Sequence, residues 1–415
     1  MNAGAGTARL PRLLVLTSTY PRWREDPEPA FVHELSRRLV SRFDVTVLCP
    51  HAPGSMRQES FDGVRVIRYR YAPEALETLV NDGGIVANLR LRKWKLLLVP
   101  GFILAQWWYA QRLIRRGDVD IVHAHWILPQ GLVAALAVRM FRGRRVPFVV
   151  TSHGADLFAL QSRVAQWLKR FVVSRASAIT VVSEGMRQPV LDLGADPLNL
   201  SVEPMGVDLA YRFTPDSGVR RSHDEILFVG RLVEKKGLRH LIDAMALIMR
   251  TWPSAFLTVA GFGPELKERQ EQAERLGLAD RVRFLGAVKQ KDLPELYRRA
   301  SVFVAPFVEA ADGDQDGLGL VVVEAAGCGC PVVVSEIPAT KGLRGISPSI
   351  LVERWSNAQE LATIVSGASA RVDRCVAGQL AAFDWEARAR CMARIIESAH
   401  GGICSRSTCG EIGGS

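Results

Sequence analysis

Ile226-Leu227-Phe228-Val229-Gly230-Arg231-Leu232-Val233-Glu234-Lys235-Lys236-Gly237-Leu238 holds three pieces in succession. Four apolar residues read as a short buried strand. Gly230 ends it, and a loop carrying cations leads to an amphipathic pattern over 238–250. Strand, short loop and helix is the βα unit of a parallel sheet. The unit repeats in both directions. Toward the C-terminus, strands are predicted at 256–260, 282–285, 302–305 and 332–334, with helices at 265–276, 293–299 and 320–327. Toward the N-terminus, strands are predicted at 13–17, 45–48, 64–67, 119–122, 148–151 and 179–182, with helices at 31–42, 96–115, 131–141 and 164–174. The strand runs are continuous and apolar, as parallel strands covered on both faces must be. The rhythm pauses over 203–223, where Pro204, Gly206, Pro215 and Gly218 mark a linker. The predicted architecture is α/β: two tandem Rossmann-like domains facing across a cleft. In such sheets ligands bind outside the carboxyl ends of the strands.

Two motifs fall at those ends. In the first, Gly230 is followed by Arg231 and Lys236 on the turn into a helix. A helix N-terminus carries free N–H groups and partial positive charge, and a guanidinium fork plus an ammonium would complete a diphosphate clamp. Alone, the pair would read as solvated loop cations. The second motif is Asp316-Gly317-Leu318-Gly319-Leu320, then Val321-Val322-Val323-Glu324. Its glycines let the backbone approach a ligand closely. Asp316 is also a plausible helix cap. Glu324 sits in an apolar stretch, where an ordinary exposed glutamate is not expected. Cations for phosphates and carboxylates for hydroxyls together suit a sugar joined to a nucleoside diphosphate.

Bulk properties narrow the choice. The 415 residues are enough for about two domains. A net charge of +10 favours anionic partners. The cations are scattered and no nucleic-acid module is visible, so a phosphorylated small molecule or an anionic membrane surface fits better than nucleic acid. Seven widely spread cysteines without paired CxxC motifs suggest free thiols and a reducing compartment. Residues 1–12 lack an apolar core long enough for a signal peptide. The longest apolar run, 96–110, contains Pro100-Gly101 and Gln106 and is shorter than the ~20 residues of a spanning helix. A buried helix is the expectation. The alternative is a surface segment dipping into lipid headgroups through Trp107, Trp108 and Tyr109.

The Gly230-Arg231, Lys236-Gly237 and Asp316-x7-Glu324 motifs resemble those of retaining GT-B glycosyltransferases of family 4, over nearly the whole chain. The leading position of the spaced carboxylate pair is Asp here, where the family carries Glu. The resemblance implies that Arg231 and Lys236 meet the donor diphosphate and that Gly230 closes the strand beside it. Asp316 would bind the transferred sugar, Glu324 the ribose hydroxyls, and the backbone of Gly317, Leu318, Gly319 and Leu320 the phosphate or sugar. His153, in His153-Gly154-Ala155-Asp156, would face the donor sugar near the reacting centre. His125 either packs or lines the acceptor side. The first loop, Thr17-Ser18-Thr19-Tyr20-Pro21-Arg22, lacks the paired glycines of many relatives, and Arg22 is its acceptor-side candidate.

By the same resemblance, an acceptor domain would span 1–205, joined by a crossover helix over 384–400. A donor domain would span 206–383, and 401–415 would be a disordered tail. The implied partners are a UDP- or GDP-sugar and a saccharide or lipid-linked saccharide acceptor. The implied product is a cell-envelope or exopolysaccharide linkage, formed at the inner face of the plasma membrane in the cytoplasm. No cofactor and no metal are expected. Asp312-Gly313-Asp314 has the form of a metal motif but lies in a loop before the donor motif. The rivals are a nucleotide-sugar epimerase of the same shape, a non-catalytic assembly subunit, and a NAD-linked oxidoreductase. The last would need a G-x-G-x-x-G fingerprint after the first strand, which Thr17–Arg22 does not supply.

Overall fold

The computed structural model describes residues 9–402, apart from 25, 27–29, 82–83, 140–145, 312 and 370–376. The tail expected over 401–415 therefore lies almost wholly outside the described residues, as does Asp312.

The first half runs β1 (Arg12–Leu16), α1 (Phe31–Leu39), β2 (Asp44–Pro50), β3 (Gln58–Phe61), β4 (Val64–Tyr69), α2 (Gly84–Leu91) and α3 (Val99–Arg115). It continues β5 (Ile121–His125), α4 (Leu132–Arg139), β6 (Phe148–Ser152), α5 (Ala155–Phe158), α6 (Arg163–Val173), β7 (Ala178–Val181), α7 (Arg187–Asp192) and β8 (Leu200–Val202). The second half runs β9 (Glu225–Val229), α8 (Leu238–Thr251), β10 (Phe256–Ala260), α9 (Leu266–Arg275), β11 (Val282–Gly286), α10 (Leu293–Arg299), β12 (Val302–Ala305) and α11 (Leu320–Gly327). It closes with β13 (Val332–Ser335), β14 (Ile350–Glu353), α12 (Ala358–Ser369) and α13 (Trp385–Gly401).

Two separate sheets result, ordered β3-β4-β2-β1-β5-β6-β7-β8 and β11-β10-β9-β12-β13-β14. All pairings are parallel except the β3–β4 hairpin. The predicted strands are present with ends shifted by up to three residues. The sequence reading missed β3, β8 and β14. β3 alternates exposed and inward positions and β8 is three residues long, so neither makes a continuous apolar run.

Three expectations are corrected. The helix expected from 96 begins at Val99, after a 3-10 turn over Lys93–Leu98, with Pro100 in its first turn, where proline's missing N–H costs nothing. That segment is buried on one face only: Phe102, Ala110 and Ile114 are in the core, while Leu96, Leu97, Leu104 and Trp108 are exposed. Cys391 is disulfide-bonded, whereas Cys49, Cys328 and Cys330 are free and buried.

The halves are tied at the back by α13. It packs on α1 and on the first sheet under β5, β6 and β7. Arg38 donates to Glu386 at 2.9 Å, Arg42 to Glu397 at 2.9 Å and Arg388 to Glu203 at 3.0 Å. The segment before β9 is pinned to the same place, with Val207 N–H donating to the Phe383 carbonyl at 2.8 Å. One apolar cluster runs from the first sheet onto one face of the second, while the other face, under α8 and α12, has its own.

Candidate active site

Both sheets reverse strand order at one place. β1 lies between β2 and β5, and β9 lies between β10 and β12. Chains leave such neighbours in opposite directions, which opens a crevice at the carboxyl edge. The loops after β5 and β6 in the first sheet and after β9 and β12 in the second carry the predicted residues. They meet across one seam.

The first-sheet side is a cluster of imidazoles. His123 and His125 close β5, and both are fully buried. The His125 and His153 rings stack at 5.2 Å with 14° between planes, and His125 Nδ1 lies 3.0 Å from His153 Nε2. One nitrogen must donate to the other, so at least one ring carries a proton there. His123 Nε2 meets Thr151 Oγ1 at 2.7 Å, and Thr151 meets Thr180. Burial pushes His123 down to about 4 and His153 down to about 3, with His123 adding to the latter. Burial lowers His125 as well, helped by both neighbours. All three are neutral at physiological pH. Asp156 fixes the loop: its carboxylate accepts from Ile127 N–H at 2.6 Å and from Ser152 Oγ at 2.9 Å, tying the end of β6 to the turn after β5. Trp126 and Phe31 wall the cluster, with ring centroids 5.0 and 4.9 Å from His153. Trp126 holds φ of 76°, a region unfavourable for a bulky side chain.

The second-sheet side is charged. Lys236 Nζ donates to Asp316 Oδ2 at 2.7 Å and lies over the Phe307 ring at 4.5 Å. Lys235 Nζ donates to Asp314 at 3.1 Å and to the Gln315 carbonyl at 3.2 Å. Burial raises the Asp316 carboxyl, but Lys236 and Lys235 outweigh it and hold it below the ordinary aspartate value. Asp316 is not the helix cap allowed by the sequence reading. Gly319 occupies the N-cap of α11 in the left-handed region, where a Cβ would strike Phe307. Glu324 lies inside α11 among Val322, Val323, Ala325 and Ala326, all buried. It accepts from Tyr297 Oη at 3.0 Å and Gln290 Nε2 at 3.2 Å. Burial raises its pKa, and the two hydrogen bonds oppose the shift. Gly230 continues β9, its N–H donating to the Ala260 carbonyl at 3.0 Å. Arg231 follows, half-buried.

The seam is a backbone contact. A Cβ on Gly317 would collide with the His153 carbonyl, and one on Gly154 would sit 3.0 Å from Gly317 Cα. Glycine at 317 therefore lets the loop after β12, which carries Asp316, pass against the loop after β6, which carries His153. A cavity of about 350 Å³ opens between the halves, and the seam residues are not among those that line it. Its walls include His33, Glu34 and Arg37 from α1, Arg24 and Asp62 from nearby loops, and Gln290 from the second half. Gln290 belongs to both places, since it also holds Glu324.

The structure brings together His125, His153, Asp316, Lys236, Gly317 and Leu318. Arg22 does not itself line the cavity, but it pairs at 2.7 Å with Asp26, which does, and stacks on Trp23. Sequence reading missed Phe31, Trp126, Phe307, Tyr297 and Gln290. Each touches a predicted residue from another element, and only Trp126, next to His125, has a predicted residue beside it in sequence. His123, two residues before His125 on β5, was not anticipated in the cluster either. Among the described residues no group of three or more His, Cys, Asp or Glu is placed to hold a metal ion. No helix of theirs is long and apolar enough to cross a membrane.

Comparison with known proteins divides the chain as the sheets do. Residues 30–211 match the family model described as Glycosyltransferase Family 4, and residues 213–343 match that for Glycosyl transferases group 1. A GDP-mannose-dependent alpha-(1-6)-phosphatidylinositol monomannoside mannosyltransferase of Mycolicibacterium smegmatis is 30% identical over 337 residues, covering 77% of this chain and 79% of that protein. A glycogen synthase of Mycobacterium tuberculosis is 29% identical over 347 residues, covering 79% and 78%. Among solved structures, a sucrose-phosphate synthase from Thermosynechococcus elongatus superposes with a TM-score of 0.74 over 95% of this chain and 100% of that one, at 21% identity.

Proposed function

Because the chain belongs to the group 1, family 4 glycosyltransferases and has their GT-B fold, we propose that it moves a hexose from a UDP- or GDP-sugar to a cell-envelope or exopolysaccharide acceptor, with retention at the anomeric carbon. The observation that carries this reading is the seam. The loop of Asp316, which is paired with Lys236, meets the loop of neutral His153 at a glycine contact, so groups suited to phosphate and to sugar hydroxyls converge there.

In this reading the acceptor enters through the cavity beside α1, on residues 1–205 and the crossover helix, and the donor lies on 206–383. The bond from the anomeric carbon to the diphosphate oxygen breaks as the bond to the acceptor oxygen forms on the same face. The acceptor proton passes to the leaving diphosphate. Lys236 and Arg231 stabilise the charge that develops on that group, the largest electrostatic contribution expected. The transition takes Lys236 from Asp316 to phosphate and frees Asp316 to accept from the sugar. Glu324, held by Tyr297 and Gln290, accepts from the ribose. His153 is neutral and so offers a hydrogen bond to the sugar without adding cationic charge beside it. Dependence on a metal is not expected. Likeness to a mannosyltransferase acting on a phosphatidylinositol mannoside supports GDP-mannose as the first donor to test and a lipid-linked saccharide as acceptor.

Thermal melting with UDP-, GDP- and ADP-sugars tests the donor, since ligand bound only to the native state raises the transition. One nucleotide series should shift it. No shift with any of them overturns the reading. The one-bond C1–H1 coupling at the anomeric centre of the product, compared with that of the donor, then checks retention.

A further inference from the structure

The strands of the first sheet send their crossovers α3, α4 and α6 to one face, where α4 packs between α3 and α6. The opposite face is covered by α1 and α13. The layer and its approach, residues 84–117, 131–139 and 161–177, contain 12 Lys and Arg and not one Asp or Glu. The other 41 cations of the chain face 43 carboxylates. Nine of the 12 are exposed, while Lys95 and Lys169 are buried, so the exposed charge of these segments is wholly positive.

The same face exposes apolar side chains. On α3, Leu104, Trp108 and Arg112 follow at intervals of four and form one outward stripe. The Arg112 guanidinium lies over the Trp108 ring at 5.4 Å. Before them, Leu97 is 82% exposed in the turn preceding α3. On α6, Val164 and Trp167 face outward, Trp167 63% exposed, with Arg163 and Arg170 exposed beside them. In parallel βα units every helix begins at the carboxyl edge of the strands. Leu97, Val164 and Trp167 therefore lie toward the cleft rim, and Arg112, Arg115 and Arg175 toward the far end.

We propose that this face docks on an anionic lipid bilayer, with its Leu and Trp side chains in the headgroup region and its cations against the lipid charge. The charge complementarity selects the occupant. A large acid-free surface repels a second copy of itself, and apolar side chains set among arginines match the interface of an anionic membrane. The geometry puts the mouth of the cleft against the membrane, where a lipid-linked acceptor would present its headgroup. The membrane alternative read from sequence joined the run 96–110 to the cations Arg90, Arg92, Lys93 and Lys95. The structure extends the surface to α6 and half-buries Trp107 and Tyr109.

The test is co-sedimentation of the full chain with phosphatidylcholine vesicles, with and without phosphatidylglycerol, at low and high salt. The wild type should pellet only with the anionic vesicles at low salt. The Leu97→Glu/Trp167→Glu double variant should partition about tenfold less, because each change removes an anchor and adds like charge. Unchanged melting of both proteins confirms that the variant is folded. Equal recovery with neutral and anionic vesicles overturns the proposal. So does a wild-type dimer, seen by light scattering, that the double variant dissociates. Either result leaves the transfer reading standing, because that reading is tested by donor binding.

Discussion

The two sides of the seam handle polarity in opposite ways. At the ends of β5 and β6, three histidines are buried, stacked on one another and neutral. Beyond β9 and β12, two lysines and two aspartates are paired at 2.7 and 3.1 Å, and the lysines hold the Asp316 carboxyl below its ordinary value. The difference is the presence of counter-charge. Each lysine has a carboxylate within hydrogen-bond reach, and for Asp316 this attraction outweighs desolvation. The imidazoles have only hydroxyls, one another and aromatic rings, so desolvation wins and the proton leaves. A site assembled from both can hold a charged leaving group on one side and a neutral sugar on the other.

The strongest way to break this comparison is to remove charge from the second side. Lys236→Ala leaves Asp316 without its nearest cation and takes one contact from the leaving diphosphate. Turnover should fall about 10²–10³-fold, the usual cost of losing a preorganised charge-stabilising donor. Steady-state kinetics with saturating donor measure it. A fall of less than tenfold would mean that the Lys236–Asp316 pair only holds loops together.

The second probe is pH. His123, held at about 4, and His153, held at about 3, return on unfolding to the ordinary value near ~6.5. The unfolded chain then binds protons that the native state refuses. Stability is complete above pH ~6.5 and declines as pH falls from there toward about 4. His123 alone should account for roughly 3 kcal/mol of that loss. Asp316 acts in a lower window: its depressed pKa stabilises above ~3.8, and the contribution disappears only as pH falls through the folded value. Denaturant unfolding at pH 7.5 and pH 5 separates the two. The histidine side should already be costing stability at pH 5, and a His123→Phe variant should show a shallower decline. Parallel curves would refute neutral burial.

A smaller effect is expected at Glu324. Glu324→Gln keeps size and can still accept from Tyr297, but it removes the charge offered to ribose. Nucleoside diphosphate affinity should weaken by about 1.5–3 kcal/mol by calorimetry, the range for a hydrogen bond to a charged group. Wild-type affinity would remove Glu324 from the donor site. The carboxyl is raised by burial, so wild-type affinity should itself decline on acidification beginning above the ordinary glutamate value.

Much of this was legible in the chain. The strands over 226–229, 256–260 and 302–305 are read correctly because a parallel strand covered on both faces has no polar alternation to confuse. The helix over 320–327 was placed to the residue because Gly319 breaks the chain just before a small apolar run. Glu324 stood out as a carboxylate in an apolar stretch, whereas Arg231, Lys236 and Asp316 gained weight only from the two motifs taken together. Trp108 could not be placed. An apolar run with aromatics has the same pattern inside a core or on a docking face, and only packing against α4 decides which residues turn outward.

Periodicity and glycine placement by themselves determined two βα sheets and which strand ends carry chemistry, since local sterics and one-dimensional burial patterns suffice for that. Which of those ends would meet was decided by the tertiary structure alone. Gly317 against the His153 carbonyl, Gln290 and Tyr297 on Glu324, and the gathering of positive charge on α3, α4 and α6 are contacts between residues far apart in the chain. They follow from strand order and crossover handedness, and no local window of sequence contains either.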